Sequence, residues 1–359
     1  MCVRPMRTIE WDNRHRNVRL IDQRELPGRL TYITCSNYHQ IIKAIQIMSI
    51  RGAPAIGIAA AFGLSLAAAS WKQPDLPAFR NQLIRVADEI QAARPTAINL
   101  RWAMDYLKSI IQHEYADVDG LRARLIQRAD EMAEEDIAIN RKMAEFGASL
   151  IRDGDTIIHH CNTGSLATVD WGTALGAVRM AHEQGKKVHV LVDETRPRLQ
   201  GSRLTAWELE QYGIPYEIIT DNAAGYFLST GKAQKVMFGA DRIARNGDIA
   251  NKIGSYMLAL AAHDNHIPVY SVAPTSSIDL SIPNGTKIPI EQRDPEEVLG
   301  IEMDGRHLSP KHAKALNPAF DVTPFRLITA IVTEKGIIKP PFARNLPLVH
   351  KKPFKRVIQ

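Results

Sequence analysis

The stretch DTIIHHCNTGSLATVDWGTALGAVRMAHEQGKKVHVLVDE, Asp155 to Glu194, decides the fold. A short apolar run, Ile157-Ile158, leads into His159, His160 and Cys161. A small-residue segment with helical spacing follows over 166–185, and a second β-rich run over 186–194. Strand, helix, strand in that order is the repeating unit of a parallel sheet. The alternation continues with β-rich runs at 215–221, 235–241 and 267–273. Helical segments at 203–213, 223–231 and 248–265 separate them. These residues predict a doubly wound, Rossmann-like α/β domain over 147–359.

Upstream the pattern is different. Three short β-rich runs, RTIEWD, NVRLIDQREL and LTYITCS, are separated by polar or Pro-Gly breaks. They predict a small antiparallel sheet. From Asn37 to Ser149 apolar residues recur at three- and four-residue spacing, broken at Arg51-Gly52-Ala53-Pro54, which predicts a helical bundle. The expected division is therefore a small sheet and helical domain over 1–146, then the α/β domain. Ala55 to Ala69 is the longest apolar run. It is shorter than the roughly 18–20 residues that span a bilayer and reads as a buried helix.

Composition narrows the function classes. The chain has 359 residues, 45% hydrophobic and 23% charged, as in a globular protein with a sizeable core. A net charge of +6, with basic residues dispersed, does not argue for nucleic acid. The basic tail HKKPFKRVIQ reads as a solvated terminus. Cys2, Cys35 and Cys161 are far apart, with no C-x-x-C, which argues against a disulfide framework and for a reducing, cytoplasmic setting. The N-terminus lacks the apolar core of a signal peptide.

Ligands of doubly wound sheets bind beyond the carboxyl ends of the strands. That rule selects Cys161, Asp193-Glu194, Asp221, Asp241 and Pro274-Thr275. Cys161 has no metal-ligand spacing, and no H-E-x-x-H is present; a helix start and His160 are its expected influences. No G-x-G-x-x-G follows a strand, so a dinucleotide cofactor is not supported. Asp241 ends an apolar strand, a place that suits proton transfer. Asn251-Lys252 are read as the start of the following apolar helix, with Lys252 able to hold a phosphate. Arg51-Gly52-Ala53, before Pro54, make a candidate anion site at a helix entry, or an ordinary Pro-initiated core helix with a surface arginine. Arg94 precedes a second helix entry at Pro95. Arg196, Arg198, Gln200 and Arg203 crowd one strand-end loop, which suits either a phosphorylated ligand or a salt-bridged surface.

The motifs RGAPAIG, RPTAINLRWAMD, HCNTGSLAT, DETRPRLQGSRLTAWEL, GADRIARNGDIANKIGSYMLAL and NPAFDVTPFRLITAIVTEKGI occur in order along nearly the whole chain. Together they resemble the methylthioribose-1-phosphate isomerase family of methionine salvage. Its wider superfamily includes ribose-1,5-bisphosphate isomerase and regulatory subunits of the translation-initiation exchange factor. The resemblance implies an aldose–ketose isomerase acting on a sugar phosphate, with no metal or organic cofactor, as a homodimer. It implies catalytic roles for Cys161 and Asp241. It implies substrate binding by Arg51, Gly52, Ala53, Arg94, Gln200, Asn251 and Lys252.

Overall fold

The computed structural model describes residues 6–95 and 97–350, so Cys2, Thr96 and the tail beyond His350 lie outside it. The chain forms two compact units. One contains the residues up to 140 together with 164–172; the other contains 141–163 and the residues from 173 onward.

In the first unit β1 (Ile9–Asp12), β2 (Asn17–Ile21) and β3 (Tyr32–Cys35) form the expected antiparallel sheet in that order. Helices α1 (Tyr38–Gln46), α2 (Ala53–Ser70), α3 (Leu76–Ala92) and α4 (Ile98–Ile111) follow, and then the long α5 (Val118–Ala148), whose residues from Arg141 onward count with the second unit. Asn37 and Gln40 cap α1 reciprocally, and Asp75 caps α3 by accepting from the Ala78 N–H. The helix α2 is apolar on every side, so it must be covered on every side. It packs against α1, α3 and α4. At 18 residues α2 matches a membrane span in length and composition, but it is buried in the core of its own unit.

In the second unit β4 (Thr156–His159), β5 (His189–Asp193), β6 (Tyr216–Ile219), β7 (Lys235–Phe238), β10 (Val269–Val272) and β15 (Ala330–Thr333) run parallel, and β16 (Gly336–Ile338) pairs antiparallel with β15. The sheet order is β6-β5-β4-β7-β10-β15-β16. The chain lays strands in one direction from β4 to β6, then returns to the other side of β4 with β7. The order therefore reverses between β4 and β7, the crevice where open α/β sheets bind ligands. Connecting helices are α6 (Ala174–Glu183), α7 (Ala206–Tyr212), α8 (Ala224–Ser229) and α9 (Ser255–Asp264), with α11 (Phe342–His350) after β16. Ile158, Val236, Phe238, Leu258, Ile331 and Phe342 belong to one buried cluster that joins the central strands to α8, α9 and α11. Between β10 and β15 lie β11 (Ile278–Asp279), the short α10 (Glu296–Leu299), the small hairpin of β12 (Glu302–Met303) and β13 (Arg306–His307), and β14 (Phe320–Thr323).

Two expectations are corrected. The segment 166–185 is helical only over Ala174–Glu183. Its first part makes a 3₁₀ turn at Ser165–Ala167, and Gly164 bridges Gly172. This loop belongs to the first unit: Val169 O accepts from Thr8 N–H at 2.9 Å, and Gln23 Nε2 donates to Leu166 O at 2.7 Å. Thr168, Val169 and the left-handed pair Trp171-Gly172 interrupt the helix. The second correction concerns 248–265. Its helix begins only at Ser255, and Ile249–Lys252 is a strand, β9, paired antiparallel with β8 (Arg242–Ala244) and β14. Asn246-Gly247 turns this hairpin, with Gly247 at φ +94°, as an Asn-Gly pair favours. With β11 these strands form a second sheet, β11-β8-β9-β14.

Candidate active site

Cys161 follows β4 and Asp241 follows β7, so the two residues stand on the two loops that border the strand-order reversal. Cys161 is half-buried and has φ +69°, a left-handed backbone rarely adopted by side chains of its kind. Its N–H donates to Thr195 Oγ1 at 2.9 Å, and its carbonyl accepts from Thr205 Oγ1 at 2.8 Å. Gln200 Nε2 lies 3.4 Å from Cys161 Sγ and donates to it. Gln200 itself is buried in the loop after β5. That loop enters α7 through a wide π-helical turn, Gly201–Thr205. A side chain at Gly201 would overlap the Asp193 carbonyl oxygen. Gly201→Ala is therefore expected to destabilise the fold by about 1–3 kcal/mol and to shift Gln200 away from the thiol. A urea midpoint equal to that of the unmodified chain would count against this packing.

The two histidines before Cys161 have opposite electrostatic fates. Both are fully buried. Burial, with a smaller effect of the charge on His160, pushes His159 down to about 3, so it is neutral. Burial also acts against His160, but the Asp193 carboxylate overcomes it and raises His160 to about 9. Geometry requires the same result. His160 Nδ1 lies 2.8 Å from Asp193 Oδ2, and Nε2 lies 2.9 Å from the Ile253 carbonyl. Both partners are acceptors, so both ring nitrogens must carry protons. Burial raises Asp193 to about 6, with His160 pulling it down. At neutral pH an imidazolium–carboxylate pair thus sits directly before the cysteine.

The folded value of His160 lies above its unfolded value of 6.5. The stabilisation is complete below that value and is lost as pH rises through about 9. The difference in urea midpoint between the chain and His160→Gln should shrink from pH 7 to about pH 9.5. A difference that stays constant would mean a neutral imidazole.

The other sequence candidates fall in three places. On the second sheet, Asp241 N–H donates to the Ala250 carbonyl, so Asp241 stands beside Asn251 across the hairpin. Asn251 is buried and donates to Ser255 Oγ at 2.8 Å. Lys252 donates to the Ala319 carbonyl at 2.8 Å, and its ammonium lies 4.4 Å from the Phe320 ring centroid. In the loop after β5, Arg198 pairs with Glu297 at 3.0 Å and Arg196 donates to the Val298 carbonyl. Arg198 is thus salt-bridged, and Arg196 is tied to main-chain carbonyls. In the first unit, Gly52 caps α2 at φ +96°, and a Cβ there would overlap the Ala167 backbone. Arg51 precedes it, and Pro54 leaves the N–H groups of Ala53 and Ala55 at the helix start. Arg94 stands in the turn between α3 and α4.

Asp193, Thr195, Thr205, Glu208 and Asp221 surround Cys161, and Thr195, Thr205 and Glu208 are new to the candidates. They come from different strand ends, so no spacing along the chain joins them. Only the strand-end rule touched two of them, Asp193 and Asp221. His160, Asp193 and Asp221 are also the described residues whose ligand atoms come close enough, within 4.8 Å, to suit a metal ion. Their chemistry fits one poorly. Both nitrogens of His160 are donors, and Asp221 accepts the N–H groups of Thr195 and Arg196 at 2.7 Å each.

Residues 49–340 match the model of the initiation factor 2 subunit family. The chain is 48% identical over 342 residues to the methylthioribose-1-phosphate isomerase of Desulforamulus reducens, covering 95% of this chain and 98% of that one. Its fold superposes on the 5-methylthioribose 1-phosphate isomerase of Pyrococcus horikoshii with a TM-score of 0.89 at 42% identity, covering 96% and 95% of the two chains. It also superposes on the translation initiation factor eIF-2B subunit delta of A. fulgidus, with a TM-score of 0.86 at 41% identity and 97% and 100% coverage.

Proposed function

The chain belongs to the initiation factor 2 subunit family, and from that premise we propose that it converts 5-methylthioribose 1-phosphate into 5-methylthioribulose 1-phosphate, as a step of methionine salvage. It is an aldose–ketose isomerase, an intramolecular oxidoreductase. The observation that carries this reading is near-full-length identity, 48%, to a relative named for that reaction. The loops bordering the sheet reversal supply a thiol and a carboxylate for it.

The substrate is a glycosyl phosphate, so C1 cannot open spontaneously to an aldehyde. The bond from C1 to the ring oxygen breaks while C1 keeps its phosphate. Asp241, as the acid, gives the ring oxygen a proton; as the carboxylate it then takes the C2 hydroxyl proton. One hydrogen passes from C2 to C1, and the product is a ketose with the same atoms. The electrons move within one molecule, so the balance needs no external oxidant. If the hydrogen travels as a proton, the Cys161 thiolate is the base that carries it. If it travels as a hydride, Cys161 borders a dry site that supports the developing cation. Arg51, Gly52, Ala53, Arg94, Gln200, Asn251 and Lys252 are the proposed substrate-binding residues. The proposed setting is the cytoplasm, and the proposed assembly a homodimer, with no nucleic-acid or membrane partner.

Turnover followed by NMR tests the reading. Methylthioribose 1-phosphate should yield the ketose and outcompete ribose 1,5-bisphosphate, whose second phosphate replaces an apolar methylthio group. The A. fulgidus likeness gives a second reading, a non-catalytic subunit. Co-purification with a nucleotide-exchange complex, without turnover, would favour that one. In deuterated water, solvent deuterium at C1 of the product marks the proton route.

A further inference from the structure

Cys161 and Thr195 both have left-handed backbones, at φ +69° and +62°. They stand at the ends of adjacent strands, β4 and β5, and one hydrogen bond joins them: Cys161 N–H to Thr195 Oγ1 at 2.9 Å. For a β-branched residue such a φ is an outlier that its surroundings must hold in place. The surroundings do so from the next strand. Asp221, just beyond β6, accepts the N–H groups of both Thr195 and Arg196 at 2.7 Å. Thr195 Oγ1 donates its own proton to the Asp193 carbonyl at 3.0 Å, so the oxygen lone pairs face the Cys161 N–H. A chain of contacts thus crosses the carboxyl edge of three strands and ends on the cysteine backbone.

A second arm reaches the same residue from α7. Thr205 Oγ1 donates to the Cys161 carbonyl at 2.8 Å and accepts from Asn162 Nδ2 at 3.2 Å. Asn162 Nδ2 also lies 2.8 Å from Oε1 of the fully buried Glu208. Tyr212 OH donates to the other carboxylate oxygen at 3.1 Å. Thr195 and Thr205 are both fully buried. Two hydroxyls therefore grip the two backbone groups of one strained residue; Asp221 holds the Thr195 backbone, and Glu208 holds Asn162, which donates to Thr205.

We propose that Thr195 and Thr205 are positioning residues, a two-hydroxyl clamp that holds Cys161 in its left-handed conformation and so aims its thiol at the reacting carbons. The inference rests on the proposed catalytic role of Cys161. Each threonine acts through the cysteine backbone. A misplacement of about 1 Å at a reacting group can cost on the order of 100-fold in rate.

The test uses Thr195→Val, which keeps the β-branch and removes the hydroxyl, and Thr195→Ser, which keeps the hydroxyl. Thr195→Val is expected to lower kcat about 10- to 100-fold with KM changed less than about twofold. Thr195→Ser is expected to recover most of the rate. Amide hydrogen exchange at Cys161 should accelerate in the valine variant and not in the serine variant. A merely structural role would instead lower the urea midpoint and leave no selective loss of kcat. Thr205→Val, measured in parallel, serves if the first variant folds poorly. Unchanged kcat and unchanged exchange at Cys161 in the folded valine variants overturn the inference. Cys161→Ala, in the same assay, separates the two levels. If it is inactive, the catalytic reading stands whatever the threonines do. If it turns over normally, the catalytic reading fails, while the exchange data still judge the clamp.

Discussion

Asp241→Asn is expected to lower kcat on methylthioribose 1-phosphate by about 10³-fold or more, with a much smaller change in KM. The amide is nearly isosteric with the carboxyl, so the site keeps its shape and loses only a proton that can be given and taken. In the proposed sequence Asp241 acts twice, on the ring oxygen and on the C2 hydroxyl, so one substitution removes both transfers. The Asp241 backbone is held independently of its carboxyl, through N–H donation to the Ala250 carbonyl. The fold should therefore survive, and an unchanged urea midpoint beside the lost rate is part of the expected result. A variant within tenfold of the starting kcat would remove Asp241 from the chemistry.

Cys161→Ser is expected to lose about 10²- to 10⁴-fold in kcat. Serine is small, and the bonds to Thr195 and Thr205 use the Cys161 backbone, so the clamp remains. What changes is the group at the end. A thiol can give up its proton and act as a polarisable base, whereas a serine hydroxyl holds its proton tightly. If hydrogen moves as a hydride, the loss should fall toward the lower end, because the thiol then only borders the path. The size of the effect, read with the deuterium result, separates the routes. Full activity in Cys161→Ser would contradict both.

Much of the fold was legible because buried parallel strands leave a plain mark. The runs around Ile157-Ile158, Val190–Val192 and Val236–Phe238 are fully or almost fully buried in one sheet. Their alternation with helical segments needs no long-range information. The second sheet was hidden for the opposite reason. Its strands hold two to four residues, and Asn246-Gly247 looks like any turn before a helix. The loop 164–172 was hidden because distant residues set its conformation. Thr8 Oγ1 donates to the Ser165 carbonyl across 157 positions of sequence, and no local pattern records that.

The site divides in the same way. Cys161 and Asp241 could be found as polar residues ending apolar strands. The same rule touched Asp193 and Asp221, but not Thr195 or Thr205. Asp193, Thr195, Thr205 and Asp221 converge only because β4, β5 and β6 lie side by side. His160 is the sharpest instance. It and His159 are the same residue type, adjacent and fully buried, yet only His160 finds two acceptors. Nothing in the local sequence says that one is charged and the other neutral.

The central claim is that the sugar reacts where the Cys161 and Asp241 side chains meet it. The most direct measurement is a crystal structure of the Asp241→Asn chain with methylthioribose 1-phosphate bound. The C1–C2 edge of the sugar should lie within about 3.5 Å of both Cys161 Sγ and the side chain at position 241. A sugar bound with C1 and C2 out of reach of both groups would contradict it.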